Sequence, residues 1–256
     1  REKGLALKST AFNNNIEYQL EVNGESWKQG DIITGNLIAI NHNADSKHLD
    51  SSGVFLSYGK QKDIKANKEN AFKIFQRILF PKETTLSKNS KDKIDWEFKF
   101  DTNCPISDKQ GSYYLCFGEE DTANIKLDIL LNEVFSNFIT TFEHMHRFKT
   151  KDKKAKKNSV DIKLMPPNSR EFASLEHVIC NLSLDKDDTL NITYNFKVNK
   201  INFQSIDLKA KSSIIQTKFN LEPKDYLIYK TSFNQEKVSQ HISEALSEVK
   251  KSNTLF

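Results

Sequence analysis

Short runs in which apolar and polar residues strictly alternate constrain this chain more than any other feature. In segment 16–22 (IEYQLEV), Ile16, Tyr18, Leu20 and Val22 alternate with Glu17, Gln19 and Glu21. In segment 94–100 (IDWEFKF), Ile94, Trp96, Phe98 and Phe100 alternate with Asp95, Glu97 and Lys99. A period of two belongs to a strand with one buried face. Segments 32–42, 54–58, 112–117 and 124–131 are also β-rich, and Gly35 within the first of them marks a bulge. Turn and loop signals lie between them: Asn23-Gly24, Gly30-Asp31, the polar stretch 43–52, the charged stretch 60–70, and Pro105 to Gly111. Segment 72–80 fits a helix or a strand and ends before Pro81. About seven short strands in such a span predict an antiparallel sandwich, because one face of every strand must leave water.

The pattern changes near residue 132. In segment 133–148, Val134, Phe138, Phe142 and Met145 recur at helical spacing, with Phe135 and Ile139 beside them. A basic stretch runs on to Lys157. Strands then resume at 160–164, 177–184, 190–198 and along the tract 201–219, with one more at 227–229. Segment 234–251 carries a second helical stripe of Val238, Ile242, Leu246 and Val249, capped by Asn234 or Ser232. No repeat of 20–50 residues is present. A length of 256 residues suits one large domain or two small ones, and 18 Phe and 7 Tyr supply core volume. The expected fold is all-β: two tandem antiparallel β-sandwich domains, 1–131 and 132–256, with a short helix near the junction and a C-terminal helix.

The formal charge of +4 is local. Residues 1–131 sum to −1, residues 132–157 to +4 and residues 158–256 to +1. The excess comes from Arg147, Lys149, Lys151, Lys153, Lys154, Lys156 and Lys157, set against Asp152 in the same stretch. Such a cluster is a solvated hairpin or linker, or a contact for anionic lipid at about 1 kcal/mol per charge. An acidic protein face is a further option. Nucleic acid is disfavoured, since only Phe148 interleaves an aromatic and no recognition motif accompanies it.

Signatures of catalysis are missing: there is no GxSxG, HExxH, P-loop or GxGxxG. His144 and His146 are the only close histidine pair, and two residues apart on a helix they face different ways. The acidic runs Asp185-Lys186-Asp187-Asp188 and Glu119-Glu120-Asp121 read as polar turns rather than calcium loops. Cys104, Cys116 and Cys180 are odd in number and form no CxxC, which suits buried thiols in a reducing compartment. No apolar run approaches a membrane span, and residues 1–15 hold no signal-peptide core. The reading is a cytoplasmic protein that is not an enzyme and carries no metal or cofactor.

Trp27-Lys28-Gln29-Gly30-Asp31-Ile32-Ile33-Thr34-Gly35-Asn36-Leu37 resembles the opening of the arrestin-like N-terminal domain. Trp96 to Phe100, Cys104-Pro105-Ile106 and Gly111 to Leu115 resemble the strand, Pro loop and strand that close it. The second half is similar to the bacterial sporulation-control branch of that superfamily. The likeness there runs through Met145-His146-Arg147-Phe148, Val160 to Pro167 and Arg170 to Leu175. The resemblance implies arrestin-like architecture and a non-enzymatic scaffold or adaptor, with a role such as sporulation or stress control. A protein partner would add a strand at a sheet edge or enter the groove between the domains. Self-association through the C-terminal helix or the sheet edges is a further expectation. The alternatives are a peripheral membrane protein using the 147–157 segment, and a hydrolase with an unrecognised site.

Overall fold

The computed structural model describes residues 6–119, 123–201, 210–229 and 232–253. The chain divides into two compact units, Arg1–Leu130 and Leu131–Phe256.

The first unit contains β1 (Ala6–Asn13), β2 (Ile16–Asn23), β3 (Ser26–Lys28), β4 (Ile32–Asn41), β5 (Lys47–His48), β6 (Gly53–Lys60), α1 (Gln61–Lys65), β7 (Phe72–Leu79), β8 (Thr85–Leu86), β9 (Lys91–Lys99), β10 (Gly111–Gly118), β11 (Ala123–Lys126) and β12 (Asp128–Leu130). Two four-stranded antiparallel sheets, β1-β2-β4-β9 and β11-β10-β6-β7, face each other. The alternation builds the core between them. Ile16, Tyr18, Leu20 and Val22 of β2, with Trp96 and Phe98 of β9, meet Val54 and Leu56 of β6 and Leu115 and Phe117 of β10. The Tyr18 hydroxyl is satisfied inside this core by Ser52 Oγ at 2.8 Å, as a buried phenol requires.

Segment 72–80 resolves as a strand because β7 continues the ladder beside β6. The charged stretch 60–70 is not all loop: it holds α1, a helix that buries none of its residues. Alternation failed to announce β1, whose pattern ALKSTAFN is weak. The turn after it is a clearer signal. Asn14 and Asn15 both take positive φ, 49° and 59°, between the paired residues Asn13 and Ile16, which is the two-residue turn that suits strand twist. Gly35 is not a bulge, since β4 keeps its register with β2 and β9 straight through it. It is there to make room for Trp96.

The second unit contains α2 (Glu133–His146), β13 (Lys149–Ala155), β14 (Val160–Met165), a 3-10 turn (Arg170–Phe172), β15 (Leu175–Leu184), β16 (Leu190–Ile201), β17 (Ala210–Leu221), α3 (Pro223–Tyr226), β18 (Leu227–Ile228), β19 (Ser232–Phe233) and α4 (Gln235–Asn253). Strands β13-β14-β15-β16-β17 form one antiparallel meander in chain order. Part of the tract 201–219 lies outside the described residues. Among the described residues, the layer that covers this sheet is helical, where the alternation had suggested a second sheet. Phe138 and Phe142 of α2 sit 6.3 Å from Tyr194 of β16, and His241 of α4 sits 6.2 Å from Phe219 of β17. Two amphipathic helices thus bury the inner face while the other face of the sheet stays polar.

The α2 stripe is turned from its expected setting. Phe135, Phe138, Ile139 and Phe142 are buried, but Met145 is 52% exposed. The α4 stripe is as expected: Val238, Ile242, Leu246 and Val249 are all buried. Asn234 caps α4, its Oδ1 accepting the Lys237 N–H at 3.1 Å.

Candidate functional site

Each sheet has edges, and an edge strand offers unpaired backbone groups to a partner. The described edges differ sharply in sequence.

The basic segment forms one of them. It is the edge strand β13 rather than a linker, because backbone pairing with β14 needs no apolar alternation. Lys153 lies opposite Ile162, on the helix-covered side, while Lys149 and Lys154 lie opposite Met165 and Asp161 on the other. Lys151 falls in a bulge between Thr150 and Asp152. Arg147 ends α2 in the left-handed conformation (φ 58°). Lys156 pairs with Asp161 at 3.1 Å, and Lys157 follows in the hairpin turn. The seven cations are therefore spread over two faces, a helix end and a turn. The Thr150 N–H is donated to a Glu143 carboxylate oxygen at 3.0 Å, which draws that part of the edge toward α2.

The edge strand β7 of the first unit is different. Phe75 is 50% exposed and Leu79 36%. A register shift in the ladder to β6 falls at Phe75. The ring rests against Tyr113 at 5.7 Å with Lys73 Nζ 5.3 Å from its centre. Arg77 lies between the two apolar groups in sequence. From Lys60 to Lys82 the chain carries seven basic and two acidic side chains, a net +5. That exceeds the +4 of residues 132–157. Counting charge over 60–82 would have singled out this hairpin. By sequence the hairpin divides between a charged loop, 60–70, and a segment, 72–80, that fits a helix or a strand.

Two clefts lie among the described residues. An open one of about 550 Å³ in the first unit is bounded by Gln61, Lys65, Lys109, Lys126, Asp108 and Asp128. One of about 740 Å³ in the second is bounded by Val134, Leu184, Asp188, Tyr226, Leu227 and Tyr229 among others. Asp185-Lys186-Asp187-Asp188 is a hairpin turn, closed by the Asp188 N–H donating to the Asp185 carbonyl at 3.1 Å. The Tyr226 hydroxyl donates to the Asp188 carbonyl at 2.6 Å, and burial pushes its pKa up to about 12. His144 is exposed, whereas His146 meets Ser239 Oγ at 3.0 Å, so the pair does not converge. All three cysteines are buried, and burial raises the Cys104 thiol to about 12. Of the run Glu119-Glu120-Asp121, the last two residues lie outside the described residues. Among the described residues, no helix is long and apolar enough to cross a membrane.

No family model and no curated protein sequence matches the chain. Solved structures do. The crystal structure of Spo0M, a sporulation control protein from Bacillus subtilis, superposes with a TM-score of 0.64. The match covers 92% of this chain and 99% of Spo0M at 9% identity. The fold is arrestin-like. At that identity, Spo0M speaks for backbone architecture and not for side chains at any edge or cleft.

Proposed function

We propose that this chain is a non-enzymatic arrestin-like scaffold or adaptor that captures a protein partner at the β7 edge. The observation that carries the reading is the half-exposed Phe75 and Leu79 flanked by Lys73 and Arg77 on an edge strand. Exposed apolar groups grouped on one strand mark an interaction surface. Backbone pairing at the edge gives affinity, and side chains select the partner. The matching partner segment is extended and carries both apolar and acidic side chains, so that its carboxylates meet Lys73 and Arg77. The proposed setting is the bacterial cytoplasm, in regulation such as sporulation or stress control. It is suggested by the likeness to Spo0M.

The test is an affinity pull-down from the native source. It compares the wild-type chain with Phe75→Ala/Leu79→Ala and with a charge reversal, Lys73→Glu/Arg77→Glu. A specific partner recovered by the wild type and lost by both variants, with circular dichroism unchanged, supports the reading. Equal recovery by all three proteins, or no specific partner at all, overturns it.

A further inference from the structure

The two edges of the second unit's sheet are built to opposite rules. At one end, β13 (KTKDKKA) carries four lysines and a bulge, and gives one backbone N–H to Glu143. Charge and irregularity on an edge discourage pairing with another strand. At the other end, β17 (AKSSIIQTKFNL) pairs with β16 over all twelve residues without a register shift. It contains no proline and no acidic residue, and it has β-branched residues at Ile214, Ile215 and Thr217.

The burial pattern shows that this edge is open. The inward residues Ile192, Tyr194, Phe196 and Val198 of β16 are buried, whereas Ser213, Ile215, Thr217 and Phe219 of β17 are only half-buried. On the opposite face, Ile214 is 70% exposed. No other strand among the described residues pairs with this edge.

We propose that β17 is a self-pairing edge, which joins two copies of this chain through an antiparallel β17–β17 ladder about a two-fold axis at Ile214. Antiparallel pairing about a residue sets each position opposite its mirror position in the strand. Ile214 then meets Ile214 of the second copy, Ser213 meets Ile215, and Ser212 meets Gln216. The most exposed apolar group of the strand lands on the axis, where its own copy covers it. The Lys218 side chains fall at opposite ends of the ladder, so no like charges are opposed. The half-buried inner row gains a neighbouring strand, and the two five-stranded sheets become one of ten, within the range open sheets reach. β13 has no such solution, because self-pairing would bring its lysines together.

The edge proposed for the protein partner lies in the other unit, so the two ideas fail separately. The test uses the full chain in sedimentation velocity and light scattering across micromolar concentrations. The expected result is a rise from the monomer mass to twice that mass. Ile214→Lys is expected to keep the monomer mass throughout with an unchanged melting temperature. Cα atoms opposed across an antiparallel ladder lie about 4.5–5.5 Å apart, within disulfide reach. Ile214→Cys is therefore expected to give a disulfide-linked dimer on mild oxidation, since the native cysteines are buried. Lys149→Cys on β13 serves as the control and should form no disulfide-linked dimer. A wild-type chain that stays monomeric at every concentration overturns the proposal. So does a dimer that survives Ile214→Lys, or an Ile214→Cys chain that cross-links no better than the β13 control.

Discussion

Gly35 and Trp96 are directly opposed across β4 and β9, and the indole fills the space that a side chain at 35 would take. A Cβ there would also run into the Glu21 carbonyl of β2. The glycine is thus a packing requirement set by its large neighbour rather than by backbone dihedrals. Gly35→Ala is expected to destabilise the first unit by about 1–3 kcal/mol, the usual range for overpacking a dense core. Urea unfolding followed by Trp fluorescence checks this. A midpoint equal to that of the wild type would show that β4 and β9 can separate without loss.

Both long helices of the second unit begin at an asparagine whose side chain accepts a backbone N–H. Asn132 Oδ1 takes the Phe135 N–H at 2.9 Å, and Asn234 Oδ1 takes the Lys237 N–H at 3.1 Å. An alanine at either position leaves that donor to water, at a cost of about 0.5–2 kcal/mol. Asn132→Ala should fall toward the upper end, because the Asn132 to Phe135 bond is buried. Thermal unfolding of each single variant and of the double measures both the costs and their additivity.

The first unit's sandwich was legible because alternation reports burial directly: the buried residues of β2 and β9 are the ones the period marked. Two kinds of element escaped. β1 and β13 are edge strands, held by backbone pairing on one side and wetted on the other, so their side chains carry little burial signal. The helical layer over the second sheet escaped for another reason. Alternation shows that a strand has a buried face, but not whether a sheet or a helix covers it. Met145 fell out of the α2 stripe similarly, since spacing fixes a helix face only to within about one residue. The β7 surface is hidden in the sequence because its charge cluster straddles a polar loop and a segment whose apolar spacing fits a helix or a strand.

Burial raises the pKa of Tyr194 well above its ordinary value, raises Tyr113 strongly, and raises Tyr226 to about 12. Their folded-state values lie above the unfolded value of about 10. The stability they contribute is therefore complete below about pH 10 and is lost as pH rises toward the folded values. Each such tyrosine should cost about 1.4 kcal/mol per pH unit in that window. Unfolding midpoints at increasing pH should drop together with the appearance of phenolate absorbance. The Tyr194 hydroxyl has no hydrogen-bond partner among the described residues. Tyr194→Phe is therefore expected to be neutral or to stabilise by up to about 1 kcal/mol at neutral pH, and to soften the alkaline loss. A large destabilisation would mean that the hydroxyl has a partner, such as a buried water.

The lysines of β13 make the sharpest remaining test, because two roles for them predict different losses. As edge guards, they keep other strands away. Lys149→Thr/Lys151→Thr/Lys153→Thr would then leave unfolding stability within about 0.5 kcal/mol per site, as surface substitutions do. The same variant would raise light scattering at high protein concentration. As a lipid contact, they would instead bind anionic vesicles in a salt-sensitive way. Flotation with anionic and with neutral vesicles separates the roles. The register divides the cations between the two faces of one strand, and Lys156 is already paired with Asp161. A flat bilayer can meet only one of those faces, so the expected outcome is more aggregation in the triple variant and little vesicle binding by either protein. Vesicle binding by the wild type that the triple variant loses would overturn the guard role and assign these lysines to a membrane.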